Sequence, residues 1–226
     1  MCGRFTLTSS PQRLRERFAL AAAPDDVLPR YNIAPSQPVL VLPNRTTRLL
    51  RPARWGLIPH WASDAKIGSR LINARAETLA SRAAFRSALS RHRCLIPADG
   101  FYEWRREGRT RTPFYLRPRD AAPLAIAGLW DVWRPPGAEP VASCTIITTA
   151  ANGLLQPIHD RMPAILAPAD WDTWLDARES ASAALLPLLA PCPDDWLEAH
   201  PVSSLVNSPA NDTAECIAPV GVGAGG

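Results

Sequence analysis

The most distinctive chemistry in this sequence belongs to Cys2, which directly follows Met1. We expect Met1 to be removed because Cys is small, which leaves a free α-amine and a thiol on adjacent carbons. The amine has a reference pKa of about 8 and the thiol about 8.5, so both have nucleophilic fractions near neutral pH. This aminothiol can condense with an aldehyde to an imine and then a thiazolidine. Alternatively, the thiol can attack an acyl carbon with the amine as base. Taken alone, Cys2 is also compatible with a second residue of no special role.

Two further residues are candidates for proton transfer. Glu103 lies between two aromatic residues in a predicted strand, and a carboxylate in apolar surroundings has a raised pKa that suits a general acid or base. A solvent-facing strand glutamate is the alternative. His159 is followed by Asp160 and Arg161 just before another predicted strand. This arrangement suits proton transfer, although the same tripeptide also occurs in ordinary loops.

Polar and aromatic side chains offer contacts to a larger ligand. Strand alternation places Asn73, Arg75 and Glu77 on one face, where an amide and a guanidinium can bind a phosphate or a sugar. A plain polar surface is the alternative for this face. Trp55 and Trp61 bracket a predicted loop, where an exposed ring can stack on an unpaired base. The alternative is packing in the core, the usual fate of tryptophan.

The elements around these residues predict the fold class. The 24 scattered prolines favour many short strands and turns. The segment Cys94–Trp104 is predicted as a strand, a sharp turn at Asp99–Gly100 and a short aromatic strand. Other strands are predicted over Cys2–Leu7, Val39–Leu42, Leu49–Leu57, Phe114–Leu116, Leu124–Trp133, Cys144–Thr149, Met162–Leu166 and Ala199–Ser203. Helices are predicted from Pro11 after a Ser10 cap, over Thr78–Arg91, and around Trp171–Ala177 and Ala183–Leu189.

These elements predict a single α+β domain over residues 1–220. It has a mainly antiparallel, barrel-like β core with peripheral helices, because the connections look too short for parallel crossovers. Residues 221–226 form a glycine-rich tail that we expect to be flexible. With 226 residues and 46% apolar residues, the chain can hold a core without disulfides or metal.

Composition and charge narrow the function classes. The sequence has no apolar run near the roughly 20 residues that span a bilayer, and no secretory signal, so we expect a soluble intracellular protein. The five cysteines lack zinc-site spacing and are expected to be free thiols. Residues 1–120 carry 22 basic and nine acidic residues, a net charge of +13, against −9 for residues 121–226. This asymmetry favours a polyanion partner for the first half, with GC-rich coding bias as the alternative explanation of the arginines.

Taken together, the motifs resemble the SRAP family, the SOS response-associated peptidase-like proteins. They follow one another over almost the whole chain. The matching segments are Met1–Phe5, Tyr31–Pro35, Arg54–Pro59, Asn73–Glu77, Cys94–Trp104, Ala127–Trp130, Thr148–Asn152, His159–Pro163, Val202–Asn207 and Asn211–Asp212.

The resemblance implies a sensor of abasic sites in single-stranded DNA that is trapped as a covalent DNA–protein crosslink. It makes Cys2 the nucleophile, Asn73 the group that orients the N-terminus and the sugar, Glu103 the proton shuttle and His159 the aid to ring opening and reversal. It also implies a set of DNA-contacting residues. Those expected at phosphates are Arg4, Arg75 and Thr148, and those expected elsewhere on the DNA are Trp61 and Trp104.

Two other function classes stay open at this point. One is a thiol peptidase of the N-terminal-nucleophile type that uses Cys2, Asn73, Glu103 and His159 for acyl chemistry, including removal of Met1. The other is a non-covalent single-strand binding module in which Cys2 is incidental. In each case we expect no cofactor, no metal and no membrane partner. We also expect a monomer in the cytoplasm, associated with the nucleoid when DNA is damaged.

Overall fold

A computed structural model describes residues 2–25, 27–179 and 181–221. Within these ranges the chain forms twelve strands, four short α-helices and several 3₁₀ turns. The strands are β1 Phe5–Leu7, β2 Arg30–Ile33, β3 Pro38–Pro43, β4 Arg51–Trp55, β5 Asn73–Arg75, β6 Arg93–Ala98, β7 Gly100–Glu107, β8 Thr110–Pro118, β9 Leu124–Trp133, β10 Val141–Ala150, β11 Arg161–Pro163 and β12 Leu197–Pro201. The α-helices are α1 Pro11–Phe18, α2 Ala83–Arg91, α3 Trp171–Leu175 and α4 Ser182–Leu185.

Five of the strands close into a barrel. Their order is β10, β4, β3, β6 and β9, and β9 pairs back onto β10. Within the barrel only the β10–β4 contact is parallel; the other pairs are antiparallel. The far half of β10 leaves the barrel and pairs with β5 in parallel and with β11 in antiparallel orientation. This extension therefore brings β5, which carries Asn73, close to β11, which begins two residues after His159.

The second sheet is antiparallel throughout, in the order β12, β8, β7, β1 and β2. Together the two sheets and the surrounding helices confirm the predicted α+β class with a mainly antiparallel, barrel-like core. The domain boundary at residue 220 stays a prediction, and residues 222–226 of the predicted tail lie outside the described residues.

The predicted turn at Asp99–Gly100 is confirmed, and it is the place where the chain passes from the barrel into the second sheet. The Asp99 carboxylate accepts hydrogen bonds from the backbone N–H groups of Thr8 (2.5 Å) and Ser9 (2.7 Å), so it ties the turn to the end of β1. The strand that leaves this turn is β7. It pairs at Gly100 and Phe101 with β1, the first strand after Cys2, and carries Glu103 two residues further on.

The first predicted helix is confirmed, whereas the second has different limits. The Ser10 hydroxyl accepts the Arg13 N–H at 3.3 Å, and Leu14 and Phe18 are buried on one face of α1. The helix predicted over Thr78–Arg91 begins only at Ala83. Backbone turns over residues 76–82 replace its first part, and Arg82 keeps an extended conformation.

Several other features of the fold bear on function. No helix among the described residues is long and apolar enough to cross a membrane. All five cysteines are buried free thiols. The described ranges hold no group of three or more His, Cys, Asp or Glu side chains that could bind a metal ion.

Candidate active site

Cys2 is fully buried at the start of the chain and is held by Asn73. The Asn73 side-chain amide donates a 2.9 Å hydrogen bond from Nδ2 to the Cys2 carbonyl oxygen. Asn73 can reach Cys2 because β5 pairs with the extension of β10, where Asn73 lies opposite Ile146. The Asn73 Oδ1 atom is buried and accepts no hydrogen bond from the described residues. The amide therefore fixes the Cys2 backbone and keeps one acceptor available.

Glu103 lies in the interior and not at a solvent-facing strand position. The residue, opposite Phe114 on β8, is only 1% exposed. Burial raises the pKa of Glu103 from its usual 4.5 to about 7, and the negative charge of Asp160 adds to the effect. A carboxyl group with this pKa is present in both protonation states near neutral pH, as a proton shuttle requires.

His159 stands next to Glu103. The distance from its Nε2 atom to Glu103 Oε2 is 3.8 Å, while its Nδ1 atom accepts the Arg161 N–H at 2.9 Å. Partial burial lowers the pKa of His159, although the nearby Asp160 opposes this. The imidazole is therefore mainly neutral at pH 7 and can take up a proton.

The Cys2 thiol is strongly disfavoured as a thiolate. Burial, aided by the negative charge of Glu103, raises its pKa far above the usual range. The two side chains are thus close enough to influence each other electrostatically. Because protonation of Glu103 removes that charge, a proton gained by Glu103 makes the thiol easier to ionise.

Arg161 organises the His159 loop and was not singled out from the sequence, although it belongs to the same motif as His159. Its guanidinium forms two hydrogen bonds with the Glu77 carboxylate, at 2.6 and 3.0 Å, and one with the Thr148 carbonyl oxygen at 2.7 Å. This clamp fastens β11 to β10 and to the turn after β5. Its ion pair also lowers the pKa of Glu77.

The predicted phosphate-contacting residues have different environments. Arg75 is exposed, whereas Thr148 is fully buried beneath Arg161. Arg4 is half-buried, and its guanidinium donates to Asn32 Oδ1 (2.9 Å) and to the backbone carbonyls of residues 206 (2.5 Å) and 207 (3.1 Å). Only Arg75 of the three offers its charge freely to an incoming phosphate. Arg4 and Thr148 hold parts of the protein together.

The two predicted aromatic contacts lie apart. Trp104 is next to Glu103, partly exposed, and its Nε1 donates a 2.8 Å hydrogen bond to Asn207 Oδ1. Trp61 is 53% exposed and lines a different trough, beside Lys66 and Arg70. The structure therefore brings Cys2, Asn73, Glu103, His159 and Trp104 to one place, while Trp61 extends the surface elsewhere.

Known proteins are similar to this chain over nearly its whole length. The family model described as SOS response associated peptidase (SRAP) matches residues 1–209. The chain belongs to the SRAP family. It is 45% identical over 225 residues to the abasic site processing protein YoqW of Bacillus subtilis, covering 96% of this chain and 99% of that protein. It is 32% identical to the abasic site processing protein HMCES of Xenopus tropicalis, covering 97% of this chain and 78% of that protein.

Solved structures share the SRAP chain's fold. A crystal structure of a Bacteroides thetaiotaomicron protein superposes with a TM-score of 0.88 at 24% identity, covering 97% of this chain and 100% of that chain. A Bordetella bronchiseptica protein gives a TM-score of 0.78 at 29% identity, covering 89% and 100%.

The SRAP chain continues to contribute structure beyond residue 209, where the family match ends. The Asp212 carboxylate pairs with Arg30 and accepts the backbone N–H groups of Tyr31 and Asn32, the latter at 2.9 Å. Asn32 in turn accepts a hydrogen bond from Arg4. The segment around Asp212 therefore supports β2 and, through Arg4, the backbone beside Cys2.

Proposed function

We propose that this SRAP protein recognises abasic sites in single-stranded DNA and captures them covalently through Cys2. The choice of abasic DNA as the substrate is supported by relatives that are named abasic site processing proteins. An abasic site exposes a ring-opened sugar aldehyde, which is the electrophile that a 1,2-aminothiol traps. We expect the protein to act as a monomer on damaged DNA, and to need no metal or cofactor.

The chemistry runs in two steps on the Cys2 aminothiol. After removal of Met1, the α-amine nitrogen attacks the aldehyde carbon, and loss of one water gives an imine. The thiol sulfur then adds to the imine carbon while its proton passes to the nitrogen, which closes a thiazolidine. The aldehyde and the aminothiol thus combine with loss of a single water, and no oxidant or reductant is needed.

The observation that carries this proposal is the environment of Glu103. It is buried, has a pKa of about 7, and lies 3.8 Å from His159. In its protonated form it can help the hydroxyl of the first adduct leave as water. In its ionised form it can accept the proton of the thiol and pass it to the nitrogen as the ring closes. Asn73 holds the Cys2 carbonyl and so orients the attacking amine.

The raised pKa of Cys2 favours this amine-first order over acyl transfer. A thiol peptidase needs a thiolate as its first nucleophile, and burial of Cys2 opposes that form. We therefore assign the aminothiol mainly to aldehyde capture, and we limit hydrolysis to cleavage on the N-terminal side of Cys2. The lyase-like part of the chemistry is the reversible formation of the imine.

A denaturing gel with abasic and intact single strands tests the proposal. We expect a heat-stable protein–DNA band with the abasic strand alone. No band with either strand, together with a shift of both in a native gel, would leave only the non-covalent binding module. Peptide cleavage without any DNA band would favour the peptidase.

Intact mass spectrometry of the same sample tests the start of the mechanism. We expect the crosslinking protein to lack Met1. A chain that keeps Met1 and still crosslinks completely would contradict the mechanism, because its Cys2 nitrogen would be an amide.

A further inference from the structure

Two arginines beside the active site lack a carboxylate partner. Arg106 on β7 and Arg111 on β8 are directly opposed in the antiparallel register, and both are exposed. Neither forms a salt bridge or a side-chain hydrogen bond with any described residue. The other two arginines within the strands β7 and β8 are paired, since Arg105 contacts Glu107 at 3.0 Å and Arg117 contacts Glu198 at 2.6 Å.

An unneutralised pair of this kind indicates an anionic ligand. Like charges directly opposite each other on neighbouring strands destabilise a sheet. A bound anion would remove this repulsion, and the planar guanidinium groups of arginine fit phosphate oxygens in a bidentate manner. The pair therefore has the chemistry of a phosphate-binding site.

The location of the pair connects it to the reaction. Arg106 and Arg111 line a trough of about 560 Å³ that Glu103, Trp104 and His159 also border. The positive charge of Arg106 contributes to lowering the pKa of His159, so it acts within electrostatic reach of the reacting groups. A ligand in this trough touches both the arginine pair and the proton-transfer residues.

A second trough extends the path past Trp104. It is lined by Gly3, Arg4, Pro35 and Asn207, and it shares Trp104 and Arg111 with the first trough. Arg111 thus borders both troughs at the point where they meet. An extended chain that crosses from one trough to the other passes this residue.

We propose that Arg106 and Arg111 bind the phosphodiester that flanks the reacting sugar. This inference rests on the proposed function and names the subsite that positions the DNA backbone. The exposed Asp160 carboxylate, next to His159, also lines the first trough and repels phosphate there. The phosphate is therefore directed to the arginine side, and the sugar is left next to Glu103 and His159.

Binding measurements with a stable abasic analogue that lacks the aldehyde test the subsite without crosslinking. For single strands, log K falls with log salt by about 0.7 per phosphate contact. We expect Arg106→Ala and Arg111→Ala each to flatten the slope, and the double variant to flatten it by about 0.7, the value for the one phosphate that the pair binds. Arg15→Ala is the matched control: Arg15 is exposed on α1, which contacts residues 121 and 123 beyond the far end of β8. It should leave the slope unchanged.

A scan with neutral methylphosphonate linkages tests whether the contact is direct. We expect wild-type affinity to drop when the neutral linkage flanks the abasic analogue, and Arg106→Ala and Arg111→Ala to lose this sensitivity. Variants that behave like Arg15→Ala, or that stay as sensitive as wild type, would overturn the subsite. Failure of the proposed function is distinguishable, because wild-type protein would then give no heat-stable band with aldehyde-containing DNA.

Discussion

Glu103 is the residue on which the proposed proton transfers depend. Glu103→Gln keeps the shape of the side chain and removes the titrating proton. We expect the crosslinking rate to fall by about 10²–10⁴-fold, the usual contribution of a general acid or base, with DNA affinity unchanged. The wild-type rate should change its pH dependence near pH 7, where Glu103 titrates, and the variant should lack this feature. A native rate in the variant would move the proton transfer elsewhere, with His159 the next candidate.

The same burial that tunes Glu103 costs stability. Its pKa is higher in the folded protein, about 7, than its usual 4.5, so between these values the folded state holds a proton that the unfolded chain releases. Stability therefore falls as pH rises through this window, by up to about 3 kcal/mol. Urea unfolding at pH 5 and pH 8 should show a smaller loss in Glu103→Gln than in wild type. Glu107→Gln, at the exposed end of the same strand, should follow wild type.

Cys2 contains two nucleophiles that one substitution can separate. Cys2→Ser keeps the α-amine and replaces the thiol by a hydroxyl, which is a far poorer nucleophile at neutral pH. We expect the variant to condense with the abasic aldehyde but to stop at the hydrolysable imine. A denaturing gel should show no heat-stable band unless borohydride reduces the imine in place.

Each other outcome of the Cys2→Ser experiment has a distinct meaning. A heat-stable band without borohydride would exclude the thiazolidine as the stable product. No band even with borohydride would mean that the amine is not the attacking group. Acyl transfer gives no reason for borohydride to have any effect.

At the scale of elements, the sequence predicted those helices and strands whose signals lie within one short segment. The Ser10 cap, the proline after it and the spacing of Leu14 and Phe18 are all within one short segment, and α1 forms as expected. The start of α2 could not be predicted, because the turns over residues 76–82 depend on how the chain leaves β5. Pairing between β5 and β10 joins segments about 70 residues apart, so no local signal predicted the contact of Asn73 with Cys2, which only the family resemblance implied.

Arg4 is a residue of the candidate site whose contacts likewise could not be predicted from local sequence signals. The family resemblance implied that Arg4 contacts a phosphate. Its guanidinium instead donates to Asn32 and to two backbone carbonyl groups that lie about 200 residues after Arg4 in the sequence. No local pattern in the sequence indicates hydrogen-bond partners that are so far apart along the chain. Cys2, Glu103 and His159 were found because their own residue types and immediate neighbours indicate chemistry.

This role of Arg4 between β1, β2 and the C-terminal segment predicts a stability defect. Arg4→Ala leaves three acceptors without their charged donor, and we expect a loss of about 3 kcal/mol. Arg75→Ala, in an exposed position, should change stability by no more than about 0.5 kcal/mol. Urea unfolding of the two variants provides the comparison. Unchanged stability with weakened DNA binding in Arg4→Ala would return Arg4 to the role of a phosphate contact.

At the scale of the whole molecule, the structure shows where the charged residues of the two differently charged parts of the chain lie. The first 120 residues carry the net charge of +13 and supply the exposed Arg75, Arg106 and Arg111. The second part, with −9, supplies the exposed Asp160 beside the same trough. Coding bias can account for the choice of arginine over lysine, but it does not explain why unpaired arginines border the reactive groups.

This distribution predicts that non-covalent affinity depends strongly on salt. Each phosphate contact to a single strand contributes about 0.7 to the slope of log K against log salt, because counterions are released. Arg75→Ala should flatten the slope by about one contact, measured with the aldehyde-free abasic analogue. Arg178→Ala is the control, because Arg178 is exposed but already paired with Asp176 at 3.0 Å. If Arg75→Ala kept the wild-type slope while Arg106→Ala and Arg111→Ala flattened it, the DNA backbone would follow the β7–β8 hairpin and bypass β5.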